Sequence, residues 1–146
     1  MSSSRSNIVL CIDDNEDVLQ LLEMLLEDRG YTVLTASSGA RGLELATLEP
    51  VDVVILDYEM PGLNGHDVAA ALRQWEPQIP IVMFSGAVDI PSQTLRLVDA
   101  FVSKGGLASF SSVAQLIGSL PSAGVPSLSG QIASSAMTMS PARPRQ

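Results

Sequence analysis

Val53-Val54-Ile55-Leu56-Asp57-Tyr58-Glu59-Met60-Pro61-Gly62 is an apolar run that stops abruptly on an aspartate and passes straight into a turn. Ile8-Val9-Leu10-Cys11-Ile12-Asp13-Asp14 repeats the event near the start of the chain. A run that is apolar at nearly every position suits a strand covered on both faces, as in a parallel sheet. Carboxylates delivered at the C-terminal ends of such strands are poor core design but good site design. Three acids at one sheet edge repel one another and call for a cation.

Working outward, strands and helices alternate. Residues 8–14 read as a strand. Asn15 to Arg29 reads as a helix with Val18, Leu21, Leu22 and Leu25 at helical spacing, stopped by Gly30. Tyr31 to Ala36 is a strand carrying β-branched Thr and Val. Ala40 to Leu48 is a helix stopped by Pro50, and Val51 to Leu56 is the apolar strand. A helix from Gly65 to Trp75 turns Val68, Ala71 and Leu72 inward. A strand at Ile81 to Phe84 ends on Ser85-Gly86. A weak helix over Ser92 to Leu97, a strand at Ala100 to Val102 and a helix over Leu107 to Ile117 complete the series. Five alternations predict an α/β fold, a doubly wound five-stranded parallel sheet. Ligands in such sheets sit outside the C-terminal strand ends, where Asp13, Asp14, Asp57, Ser85 and Lys104 fall.

Composition narrows the function. The chain has 146 residues, a net charge of −8 and one cysteine. Residues 8 to 120 hold all 16 acids and five of the bases, Arg29, Arg41, Arg73, Arg96 and Lys104. That acidity argues against direct nucleic-acid binding, which needs clustered Lys and Arg. No apolar run approaches about 20 residues, so no membrane span is expected. A lone Cys11 in an apolar strand reads as a small buried hydrophobe and fits a reducing, cytoplasmic setting. The expected division is a short N-terminal segment (1–7), one domain (8–120) and a Ser/Pro-rich tail (121–146) with no acids, expected to be disordered.

Ile12-Asp13-Asp14, Leu56-Asp57-Tyr58-Glu59-Met60-Pro61-Gly62-Leu63-Asn64-Gly65, Phe84-Ser85-Gly86 and Phe101-Val102-Ser103-Lys104 stand in order, each at a strand end. Together they resemble the receiver domain of bacterial two-component response regulators, over roughly residues 7–119. The resemblance implies the flavodoxin-like (βα)5 fold and a chemotaxis-regulator-like, stand-alone receiver. It implies Asp57 as phosphoacceptor. It implies Mg²⁺ held by Asp14 and Asp57 directly, by Asp13 mainly through water, and by the Glu59 backbone carbonyl. Ser85 matches the hydroxyl that bonds the phosphoryl group, Lys104 the lysine that pairs with the phosphoryl group or Asp57, and Phe101 the switch aromatic. Glu59 and Ala87 lie where the family tunes dephosphorylation. The implied partners are a histidine kinase or phosphotransfer protein as donor and a downstream protein effector. The implied state is a monomer or weak dimer, and the implied role is signalling rather than enzymatic turnover.

Residue chemistry agrees. A carboxylate can attack phosphorus to form an acyl phosphate, and paired carboxylates offer hard oxygens to an octahedral cation. The chain departs from the family in three places. Gly105 follows Lys104 where the family usually has proline. The Ser85–Lys104 segment is about one helical turn short and contains Pro91. Phe101 lacks a tyrosine hydroxyl. Two other functions compete: a constitutive docking module without phospho-switching, and a Mg²⁺ phosphohydrolase that uses an aspartyl phosphate. For other residues the plainer reading is preferred. Helix capping is the alternative role for Asp13 or Asp14, and Glu16 and Asp17 read as first-turn dipole partners. His66 lacks co-ligands for a metal, and Trp75 reads as a partly buried packing residue.

Overall fold

A computed structural model describes residues 7–120. The chain runs β1 (Ile8–Ile12), α1 (Glu16–Asp28), β2 (Thr32–Ala36), α2 (Gly39–Leu48), β3 (Val53–Leu56), α3 (Gly65–Trp75), β4 (Ile81–Ser85), α4 (Ser92–Leu95), β5 (Ala100–Ser103) and α5 (Leu107–Ser119). All four strand pairings are parallel and the sheet order is β2-β1-β3-β4-β5. The expected doubly wound fold is therefore present. The order reverses at β1, so the crevice between the ends of β1 and β3 is the switch point where ligands bind.

The sheet works because its side chains alternate. Val9, Cys11, Val53, Ile55, Val82 and Phe84 pack with α1 and α5 on one face. Leu10, Ile12, Val54, Leu56, Ile81 and Met83 pack with α2 and α3 on the other. Leu10, Val54, Leu56, Val82 and Met83 are wholly inaccessible to solvent. Burial of each such aliphatic side chain is worth about 1.5–3 kcal/mol.

Boundaries shift by one or two residues from the sequence reading. β1 ends at Ile12, and β3 begins at Val53 because the Asp52 carboxylate turns back to accept the Ile8 N–H at 2.7 Å. In α1 the buried stripe is Leu19, Leu22 and Leu26, with Val18 packed at its border; Leu21 and Leu25 flank it. In α3 it is Ala69, not Ala71, that is buried with Val68 and Leu72. In both helices the hydrophobic positions span more than one face, and only contact with the sheet selects the seam. Trp75, the last residue of α3, is 48% exposed and lines a hollow with Val51, Leu72 and Ile79, so it is partly buried. The short N-terminal segment lies outside the described residues except for Asn7, and the 121–146 tail lies wholly outside them.

The irregular part is 86–99. α4 is a single turn, begins after Pro91 and has no side-chain cap. One turn has no intrinsic stability, so its position depends on what it touches. Thr94, buried in α4, bonds His66 at the start of α3 (Nδ1···Oγ1 2.8 Å). The Arg73 guanidinium donates to the carbonyls of Leu97, Pro77 and Ile79 and pairs with Asp99 at 2.8 Å.

Candidate functional site

Register brings the acids together. Ile12 and Leu56 are partners across β1 and β3, so the next residue on each strand, Asp13 and Asp57, leaves the sheet side by side. The ladder continues one step beyond the strands. Asp57 N–H donates to the Ile12 carbonyl at 2.9 Å and Asp13 N–H to the Ala36 carbonyl at 3.0 Å. Asp13 and Asp57 are buried, whereas Asp14 is exposed. Oxygens of Asp13, Asp14 and Asp57 all lie within 4.8 Å of one another. Ser85 and Ser103 are partners across β4 and β5, and the Lys104 N–H donates to the Ser85 carbonyl at 3.0 Å. That register delivers hydroxyl and ammonium to the same edge.

Helix starts do not consume the acids. Asn15 caps α1, accepting from the N–H groups of Asp17 and Val18. Asp13 accepts the Asn15 N–H at 2.9 Å, so it braces the loop and still faces the site. Glu16 and Asp17 fill the first turn of α1, as expected of dipole partners.

Lys104 Nζ sits 2.8 Å from Asp13 Oδ2 and 3.6 Å from Asp57 Oδ1. The ammonium is thus divided between the two carboxylates and lies closer to the more deeply buried one. It also stands 5.8 Å from the centre of the Phe84 ring. Asp57 Oδ1 accepts the Tyr58 N–H at 2.9 Å. The Asp57 carboxyl is held above its ordinary pKa of 3.8. Burial is the main cause and the Asp13 charge the second; the Ser85 hydroxyl, Lys104 and the Tyr58 N–H oppose them. Three carboxylates and one ammonium carry a formal charge of −2. A hard divalent cation matches both that charge and the all-oxygen donor set.

The loop after Asp57 is held by close backbone contact. Gly65 N–H donates to the Tyr58 carbonyl at 2.8 Å. A Cβ on Gly65 would collide with the Asp57 carbonyl oxygen and lie 2.7 Å from Tyr58 Cα. Only glycine lets α3 begin this close to the acid. Gly62, at φ +77°, makes the turn before it.

Asp13, Asp14, Asp57, Ser85 and Lys104 therefore share one edge. The Glu59 side chain is exposed beside them. Phe101 is set apart: half-buried on β5, it packs against the α2–α3 core, as do Ile90, Leu95 and Leu97. Gly105-Gly106 makes the β5–α5 turn, with Gly106 at φ +93° and all peptide bonds among the described residues trans. Sequence reasoning missed Thr94 and Arg73. Their partners lie 28 residues away for Thr94 and up to 26 for Arg73, so no local signal exposes them.

The family model of the response regulator receiver domain matches residues 9–104. The sensor histidine kinase GacS of Pseudomonas protegens is 44% identical over 85 residues, 55% of this chain and 9% of that protein. The transcriptional regulatory protein KdpE of Mycobacterium tuberculosis is 42% identical over 93 residues, 64% of this chain and 40% of that protein. The chain thus spans a tenth to two fifths of these relatives. Among solved structures, response regulator TrrA from Thermotoga maritima, in complex with Mg²⁺-BeF, is similar with a TM-score of 0.71 and 27% identity, over 77% of this chain and 96% of that one. A response regulator receiver domain protein from Clostridium thermocellum gives 0.65 and 33%, over 74% and 90%.

Proposed function

The chain belongs to the response regulator receiver domain family, and from that premise we propose that residues 8–120 form a switch that accepts a phosphoryl group on Asp57. The observation that carries this reading is the edge itself: three carboxylates within 4.8 Å, with one lysine reaching two of them. A carboxylate oxygen of Asp57 attacks phosphorus, and the bond to the donor's imidazole nitrogen or acyl oxygen breaks, with its electron pair leaving on the donor. Asp13, Asp14 and Asp57, with the Glu59 carbonyl, would hold Mg²⁺, which supplies charge neutralisation for the carboxylate and the phosphoryl oxygens. Lys104, already between Asp13 and Asp57, can move toward the added charge of about −1.5 to −2. Ser85 can turn its hydroxyl to a phosphoryl oxygen, and Phe101 is proposed to follow that movement by packing alone. Water attack on the acyl phosphate returns the carboxylate, so the chain is a signalling component rather than a turnover enzyme.

The proposed donor is a histidine kinase or phosphotransfer protein, and the readout is binding to a downstream protein in the cytoplasm. Among the described residues no helix is long and apolar enough to cross a membrane. The test is Mg²⁺-dependent labelling by acetyl phosphate and by a kinase, read on a mobility-shift gel and by intact mass. A gain of one phosphoryl group that disappears in Asp57→Ala is expected. No labelling from either donor would overturn the proposal. A second reading, a docking module whose affinity ignores phosphorylation, is favoured by one observation: α4 is a single turn fastened to α3. Equal partner affinity with and without beryllofluoride would select it.

A further inference from the structure

Between Ser85 and β5 the chain is anchored at both ends. Ser85 is buried at the site, and its hydroxyl accepts the Ala87 N–H at 3.2 Å. Nine residues after Ser85 the chain is fastened to α3. Thr94 is 1% exposed and bonds His66 Nδ1 at 2.8 Å. Arg73 secures Leu97 and Asp99 to the far end of the same helix through the Leu97 carbonyl and the Asp99 carboxylate. Leu95, Leu97 and Ile90 pack on the α2–α3 core, and Val98 is fully buried. Residues 86–91 are held more lightly, by the Ala87 N–H and by Ile90 packing: Gly86, Val88, Asp89 and Pro91 are exposed, Val88 at 89%. α3 itself is seated on the phosphoacceptor loop through Gly65, the residue before His66.

We infer that His66 is a positioning residue: through Thr94 it holds α4 on α3 and, within the stretch between β4 and β5, confines the backbone response to phosphorylation to residues 86–91. Resting on the proposed function, this locates the output in a six-residue loop crowned by Val88, rather than in a moving α4. A displaced Ser85 pulls on residue 86, and the strain must be absorbed before residue 92. Breaking the His66–Thr94 bond lets α4 follow Ser85, which eases the change. By linkage, the site's affinity for an activating ligand rises by the factor through which α4 is loosened.

Hydrogen exchange of the full chain, with and without Mg²⁺ and beryllofluoride, tests this. Thr94→Val keeps the side-chain shape and removes the hydroxyl; His66→Ala removes the partner; His66→Gln can restore a bond. In the parent chain beryllofluoride is expected to change exchange in 86–91 and leave 92–97 alone. In Thr94→Val and His66→Ala the change spreads through 92–97, and the beryllofluoride dissociation constant falls about two- to tenfold, the range for one hydrogen bond. His66→Gln should be intermediate. A purely structural role would accelerate exchange in 92–97 equally with and without beryllofluoride, and that result overturns the inference. So does a parent response that already runs through 92–97. A parent chain indifferent to beryllofluoride would instead remove the phosphoacceptor reading, and this inference with it.

Discussion

Replacing Asp57 with Asn should stabilise the protein in chelator at neutral pH. Two Coulomb effects from groups shielded from solvent act on the Asp57 charge, the exposed Asp14 being screened by water. At an effective dielectric of about 20, Lys104 at 3.6 Å attracts it by roughly 4.6 kcal/mol. Asp13, with its oxygen within 4.8 Å, repels it by roughly 3.5 kcal/mol or more. These nearly cancel, which leaves desolvation of a carboxylate that is only 5% exposed to decide the sign. Asn removes the charge and keeps an acceptor for the Tyr58 N–H. The expected gain is about 1–2 kcal/mol, or about 4–8 °C in Tm at roughly 4 °C per kcal/mol for a domain of this size. Because the folded pKa is raised, the cost is absent below the ordinary value of 3.8. It grows as pH rises through the folded value and is complete above it. The Asn advantage should therefore shrink as pH falls toward 3.8. Differential scanning calorimetry from pH 4 to 8 in EDTA measures it. An Asn variant that is no more stable at pH 7.5, or a difference that is flat across pH, would refute the reasoning.

Mg²⁺ at one hundred times its dissociation constant should stabilise the parent by about 2.7 kcal/mol, and Asp14→Asn should abolish most of that shift in a thermal titration without altering the chelated protein comparably. Gly65→Ala forces a Cβ into the Asp57 carbonyl and should cost about 1–3 kcal/mol or more in urea denaturation; full stability with normal labelling would show that the loop gives way. Leu56→Ala, fully buried beneath the site, should cost about 2–5 kcal/mol, and a smaller loss would indicate collapse of the cavity. Burial pushes the Cys11 thiol far above its ordinary pKa, so a thiol reagent should modify it only upon unfolding; rapid reaction in native buffer would contradict its place in β1.

The sequence by itself determined the strand order of chemistry. Apolar runs ending in Asp13-Asp14, Asp57, Ser85 and Lys104 require a parallel sheet with one loaded edge, because strand periodicity and strand-end punctuation are local properties. It also revealed that residues 86–105 depart from the family pattern, since length and proline are read directly. Tertiary structure alone decided which face of each helix is buried: Leu19 and Leu26 rather than Leu21 and Leu25, and Ala69 rather than Ala71. Several rotations of an aliphatic-rich helix satisfy its periodicity, and only the sheet chooses one. It alone set Lys104 nearer Asp13 than Asp57, a matter of ångströms that no spacing encodes. It alone showed that the short α4 is held by His66 and the segment just after it by Arg73. Those bonds join residues 24 or more positions apart, between groups that satisfy their polar atoms only once the fold has brought them together.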